Sequence, residues 1–199
     1  RFDLEDPRTR LDRPSGWMAF GELGVIREEL DGTRFAIVGP AGQGVRRMDA
    51  LALIKWTFPA LQTVFGDLPE RFQIVIAGDP MWRGGLSGPH SIFLHVDRPL
   101  ITNDSTSPLI HEIVHSLMHA RSGDDGQWIS EGLAEYYSIA LLRRAGTLTA
   151  TRYASAIEAM RKRGDSVNLA EDAEMTTARR AAATVAMIEI DEAIRSASG

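Results

Sequence analysis

The stretch His111-Glu112-Ile113-Val114-His115 constrains this chain more than any other. It lies in an apolar run that opens on Ser107-Pro108, an N-cap residue followed by proline at the first helical position. No breaker interrupts the run from Leu109 to Ala120, and the next glycine is Gly123, so a helix is predicted there. On a helix, side chains four positions apart share a face one turn apart, and two imidazoles so placed can grip a single cation. Zinc is the expected ion, because it takes histidine nitrogen at about 2.0–2.1 Å and accepts a four-coordinate site with one position open to water. Glu112 follows His111 directly, so it flanks the ion instead of ligating it. It is the expected general base, taking the proton of a zinc-bound water and passing it to the leaving amine of a peptide.

A third ligand is expected from Trp128-Ile129-Ser130-Glu131-Gly132-Leu133-Ala134-Glu135-Tyr136, at the start of a second predicted helix over 128–144. His115 lies ~9 Å before the first helix ends, and Glu131 lies ~6 Å into the second. The polar turn between them, 121–126, is short enough to make the helices antiparallel neighbours, which sets Glu131 opposite His115. Glu135, one turn beyond Glu131, faces the same way and can accept a hydrogen bond from the outer nitrogen of a ligating histidine; an ordinary surface acid is the other reading of it. His119 is a rival ligand on the first helix. Three ligands along one straight helix span about 12 Å, too far for one ion, so His119 is expected to be structural. A third histidine after the turn would fall near position 121, which is Arg121, and His90 and His95 have no motif around them and are expected to be non-ligands.

The remainder of the chain supplies a scaffold. With 44% hydrophobic residues among 199, it can bury one compact core with room for two lobes. Its 22 Lys and Arg against 27 Asp and Glu are scattered, giving a net charge of -5 that argues against a nucleic-acid partner. The absence of cysteine excludes a disulfide framework, a thiolate zinc site and a cysteine nucleophile. Apolar runs such as 50–54 and 72–77 fall far short of the roughly 20 residues that cross a bilayer, so no membrane span is expected. The chain opens at Arg1 with no charged start and apolar run behind it, so any leader peptide is expected to have been removed, and the sequence alone does not decide between a whole protein and a fragment of a longer one.

Strands are predicted at 17–20, 25–30 and 33–38, the last two joined by the hairpin signal Asp31-Gly32. After the breakers at 39–44, Met48, Leu51, Ile54, Leu61, Val64 and Phe65 recur at helical spacing, with a kink expected at Pro59. A buried strand at 72–77 precedes a glycine-rich loop, 83–89, and a strand at 91–96 is expected near a sheet edge because Pro89 and Pro99 flank it. Two further helices are predicted at 149–163 and 176–197. The expected class is α+β: a β-rich part over 1–100 with one helix and the cleft's edge strand, and a helical, metal-binding part over 101–199.

The two motifs resemble the zinc peptidases of the gluzincin clan, the group containing thermolysin, aminopeptidase N and the glycyl aminopeptidases. The resemblance rests on Leu109-Ile110-His111-Glu112-Ile113-Val114-His115 and on the stretch from Trp128 to Tyr137. It implies a thermolysin-like domain with His111, His115 and Glu131 as zinc ligands, Glu112 as general base and Glu135 supporting a histidine. It also implies that Gly84, Gly85, Leu86 and Ser87 form the substrate-binding loop, with an extended peptide or protein substrate pairing through its backbone with strand 91–96. On the residues alone, the glycines only turn the chain.

Three departures from the family stand out. The aminopeptidase loop carries an acid for the substrate's free amino group, where this chain has Ser87 and no carboxylate. The fifteen residues between His115 and Glu131 are fewer than in aminopeptidase N. The tyrosine that the family places near the start of a late helix is missing from Thr176-Thr177-Ala178-Arg179-Arg180-Ala181-Ala182, with Arg179, Arg180, Tyr137 and Tyr153 as candidate replacements. The expected function is zinc-dependent peptide hydrolysis of an aminopeptidase-like kind. An endopeptidase, and a zinc-binding module with little or no catalysis, are the alternatives. A periplasmic or secreted setting is expected over a cytoplasmic one.

Overall fold

The computed structural model describes residues 15–118, 126–171 and 173–198. Among them lie a five-stranded mixed sheet and five helices, an α+β arrangement. Strands β1 (Leu23–Leu30) and β2 (Thr33–Pro40) form an antiparallel hairpin with Leu30 opposite Thr33. Asp31 and Gly32 both sit at positive φ, 44° and 85°, the turn geometry whose twist matches that of the flanking strands and which Asp-Gly adopts at little cost. Helix α1 (Arg47–Phe65) then crosses to β3 (Arg71–Ala77), parallel to β2. It continues through Pro59; that residue and Lys55, whose carbonyl loses its helical donor there, are exposed, so water can satisfy the freed group.

The far half of the sheet departs from the sequence-based expectation. β5 (Ser91–His95) is interior, parallel to β3 on one side and antiparallel on the other to β4 (Gly85–Gly88), which forms the edge in the order β1-β2-β3-β5-β4. The prolines misled because neither occupies a ladder position. Pro89 sits in the two-residue turn Pro89-His90, with His90 at φ 47°, and Pro99 lies beyond the strand. Four residues of the expected loop over 83–89, Gly85, Leu86, Ser87 and Gly88, are therefore strand. The expected strand at 17–20 forms no ladder. Instead, Trp17 donates its N–H to Ser91 Oγ (2.8 Å), accepts from Gln73 Nε2 at its carbonyl (2.8 Å), and packs its ring on Phe93. Side chains do there what a neighbouring strand would have done.

One sheet face carries Phe35, Ile37, Ile74, Ile76, Ile92 and Leu94 at the two-residue period of β2, β3 and β5, and buries them against α1 and α2 (Pro108–Met118). Each such side chain contributes roughly 1.5–3 kcal/mol of burial, which fixes the helices on that face. The same apolar cluster continues through Ile139 and Leu142 of α3 (Gln127–Arg144), Met160 of α4 (Ala150–Gly164) and Ala181 of α5 (Thr177–Ser198). The start of α2 is locked twice. Ser107 Oγ accepts the N–H of Ile110, and the Ser107 backbone is clipped at both its N–H and its carbonyl by the hydroxyl of Ser138, midway along α3 (2.7 and 3.1 Å). That clip sets the register of the two helices that carry the candidate site. No helix of the described residues is long and apolar enough to cross a membrane.

Candidate metal centre

Helical spacing turns His111 and His115 to one face of α2, and the clip at Ser107 holds α3 across from them. His111 Nε2 and His115 Nε2 lie 3.1 Å apart. Glu131 reaches in from α3, with Oε1 3.2 Å from His115 Nε2 and Oε2 3.5 Å from His111 Nε2. The three are brought together as a group whose ligand atoms all lie within 4.8 Å of one another. Donor atoms about 2.0–2.1 Å from a tetrahedral ion are separated from each other by about 3.3 Å, so these spacings fit one zinc. Glu131 Oε2 is buried and makes no well-directed hydrogen bond among the described residues, although Arg180 Nη2 stands 3.1 Å from it as an ion pair.

His111 is oriented from behind. Its Nδ1 lies 2.8 Å from Glu135 Oε2, one helical turn beyond Glu131, which leaves Nε2 for the cluster. Burial alone would lower the His111 pKa, but its contacts with Glu131 and Glu135 overcome that and raise it to about 9. Burial likewise works to raise Glu131, and is outweighed by His111, His115 and Arg180, which hold it well below the usual carboxylate range. Glu135 is held low in the same way, against its burial, mainly by His111. Glu112 differs. Burial pushes its carboxyl up, and the charges of His111, His115 and Arg180 pull it only part of the way back, so it is the acid of the group best suited to take up a proton.

Glycines admit the remaining parts. A Cβ on Gly85 would lie 2.6 Å from Glu112 Oε1, so the edge strand can pass this close to the carboxylate only with no side chain there. Ser116, one turn after Glu112 on the same face, donates its hydroxyl to the Gly88 carbonyl (2.8 Å) and ties α2 to β4. A Cβ on Gly132 would meet the Ala183 backbone at 2.9 Å, so the glycine after Glu131 lets α5 press onto α3. That contact delivers Arg180, whose Nη2 forms an ion pair with Glu131 Oε2 at 3.1 Å.

His111, Glu112, His115, Glu131, Glu135 and Arg180 line one cleft of about 610 Å³, with Gly84, Gly85, Leu86 and Ser87 on its strand side. Of the four candidate replacements for the missing tyrosine, Arg180 alone lines it. Arg179 is buried and donates to the carbonyls of Asn168 and Leu169, Tyr137 packs on Phe65 and Tyr136, and Tyr153 packs against the core. His95 is buried at the end of β5, away from the cluster, and accepts the Asp97 N–H. His119 and the turn at 121–125 lie outside the described residues. Sequence reasoning missed the ties made by Ser116 and Ser138, although the four-residue step from Glu112 to Ser116 is a signal that could have found the first.

No protein-family model matches the chain, and no curated protein does. Among solved structures, the chain is similar to an aminopeptidase N family protein from Idiomarina loihiensis, with 16% sequence identity and a TM-score of 0.56 over 73% of this chain and 29% of that one. At that identity the likeness is one of fold. The chain spans under a third of the length of that structure.

Proposed function

We propose that this chain is a zinc-dependent peptidase of the gluzincin type, built on a thermolysin-like domain. The observation that carries the reading is the mutual spacing of His111, His115 and Glu131, 3.1 to 3.5 Å, which is the edge length of a tetrahedral zinc site. Those three residues would hold the ion, which when bound polarises a carbonyl and acidifies water. Glu112 takes a proton from the attacking water and delivers it to the leaving amine as the carbon–nitrogen bond breaks. Glu135 keeps the His111 ring in the orientation that exposes Nε2 to the ion. Edge strand β4 offers backbone N–H and carbonyl groups at the cleft, which suits an extended peptide paired irrespective of its side chains.

The fold likeness supports an aminopeptidase-like activity. One observation favours a second reading, cleavage within chains. Gly84 to Gly88 carries no carboxylate, and Asp104 in the cleft is held by Arg163, which leaves the strand side with no acid for a free amino group.

Metal analysis and one substitution test the proposal. About one zinc per chain is expected, with peptide cleavage that falls by roughly 100- to 10,000-fold in Glu112→Gln while the zinc stays. A chain that takes up no zinc sinks the reading, and one that holds zinc but cleaves no peptide is a binding module. Comparing peptides with free and acetylated N-termini separates the two modes of cleavage, since only an endopeptidase tolerates the acetyl group.

A further inference from the structure

Peptide hydrolysis places negative charge on the carbonyl oxygen as water attacks, and that charge needs a fixed donor in addition to the ion. No tyrosine lines the cleft, and two of its arginines are engaged elsewhere, Arg83 with Asp79 and Arg163 with Asp104. Arg180 is placed differently. It stands on the first turn of α5, pressed onto α3 by the Gly132–Ala183 contact, and its guanidinium meets Glu131 beside the histidine pair. The side chain keeps 39% of its surface exposed within the cleft. Among the described residues its guanidinium is engaged only by that carboxylate, and Nε has no hydrogen-bond partner, although a guanidinium carries five N–H donors.

We propose that Arg180 is a catalytic residue that donates to the substrate's carbonyl oxygen as it becomes an oxyanion, a role resting on the peptidase reading above. In that step the water oxygen bonds to the carbonyl carbon, the π pair moves onto the carbonyl oxygen facing Arg180, and Glu112 receives the water's proton. When the tetrahedral species collapses, the carbon–nitrogen bond breaks and the proton held on Glu112 goes to the leaving nitrogen, giving a carboxylic acid and an amine; the acid's remaining proton then passes to the amine, leaving a carboxylate and an ammonium. A planar, permanently charged fork suits the task, since one edge can remain on Glu131 while another meets the oxygen.

The test uses the zinc-loaded chain, a quenched fluorescent peptide that it cleaves, and a phosphinic pseudopeptide of the same sequence, which mimics the anionic tetrahedral stage. For Arg180→Met, kcat is expected to fall about 100- to 1000-fold with KM within a few-fold, while zinc content and zinc affinity are unchanged. Affinity for the pseudopeptide, measured by calorimetry, falls by a comparable factor. Affinity for the uncleaved peptide, measured in a Glu112→Gln background, barely moves. Arg180→Gln gives the same comparison if Arg180→Met fails to fold. Wild-type kcat in either variant, or a loss of kcat matched by a loss of zinc affinity, overturns the proposal and leaves Arg180 as no more than a prop for Glu131. A wild-type chain that holds zinc but neither cleaves the peptide nor binds the pseudopeptide overturns the peptidase reading itself.

Discussion

The two walls of the cleft rest on different physics. The helix wall, α2 with α3 and the first turn of α5, is built of side chains: two imidazoles, three carboxylates and a guanidinium converge there in a half-buried pocket, and all but Glu112 are paired with another of the group. The strand wall, β4, contributes backbone, and its essential property is the absence of side chains where Glu112 and α2 approach. A cation needs several donors fixed to within a few tenths of an ångström, which only packed and mutually hydrogen-bonded side chains supply. An extended peptide needs a row of N–H and carbonyl groups, which any free strand edge supplies. Damage to the first wall should therefore remove the ion, and damage to the second should spare it.

The largest effect is expected from His115→Ala, which takes zinc from about one per chain to none and abolishes hydrolysis; a variant that still holds stoichiometric zinc by atomic absorption would break the comparison at its centre. Next comes Gly85→Val on the other wall. The carboxylate it collides with ends a flexible side chain, so Glu112 should swing aside, and kcat/KM should drop on the order of 100-fold with zinc and thermal stability kept. Smaller again is Glu135→Gln, expected to weaken zinc by roughly 10- to 100-fold in a competition with a chelating dye, since it alters the support of one ligand and removes none.

The smallest effect lies outside both walls, at the Asp104–Arg163 pair joining α4 to the loop before α2. The hydrogen bond from Arg163 holds the Asp104 carboxyl below its ordinary value, against a modest rise from burial. A depressed carboxylate stabilises the native state above its unfolded pKa, about 3.9, and that stability is lost as pH falls through the lower folded value. Asp104→Asn should therefore lower the melting temperature by about 1–3 °C at pH 7 and by less as the pH approaches 2; both partners are partly exposed, which keeps the pair under about 1 kcal/mol. An equal loss at both pH values would show that the carboxylate's charge is irrelevant.

Legibility divides along the same line as the walls. The meeting of His111, His115 and Glu131 could be read ahead because it needs only the helical period and a short connection, both local properties. The β1–β2 hairpin was legible for the same reason, Asp31-Gly32 naming its own turn. The sheet edge was not. Whether β5 or β4 ends the sheet depends on which strand finds a partner, and Pro89 pointed the wrong way because it occupies the turn, outside the ladder.

By itself, then, the order of residues determined the helices and their facing side chains, which follow from interactions within a few positions along the chain, and it pointed to the donor set of the candidate metal centre through the fifteen-residue connection from His115 to Glu131. Tertiary packing alone decided that β4 lies against Glu112, that Trp17 crosses the sheet face, and that Arg180 rather than Arg179 or a tyrosine stands beside Glu131. Those outcomes hinge on contacts between residues some fifty or more positions apart at Glu131–Arg180 and Trp17–Gln73, and nearly thirty at Gly85–Glu112. Contacts of that range leave no periodic trace in a sequence, because they are set by how finished elements fit together.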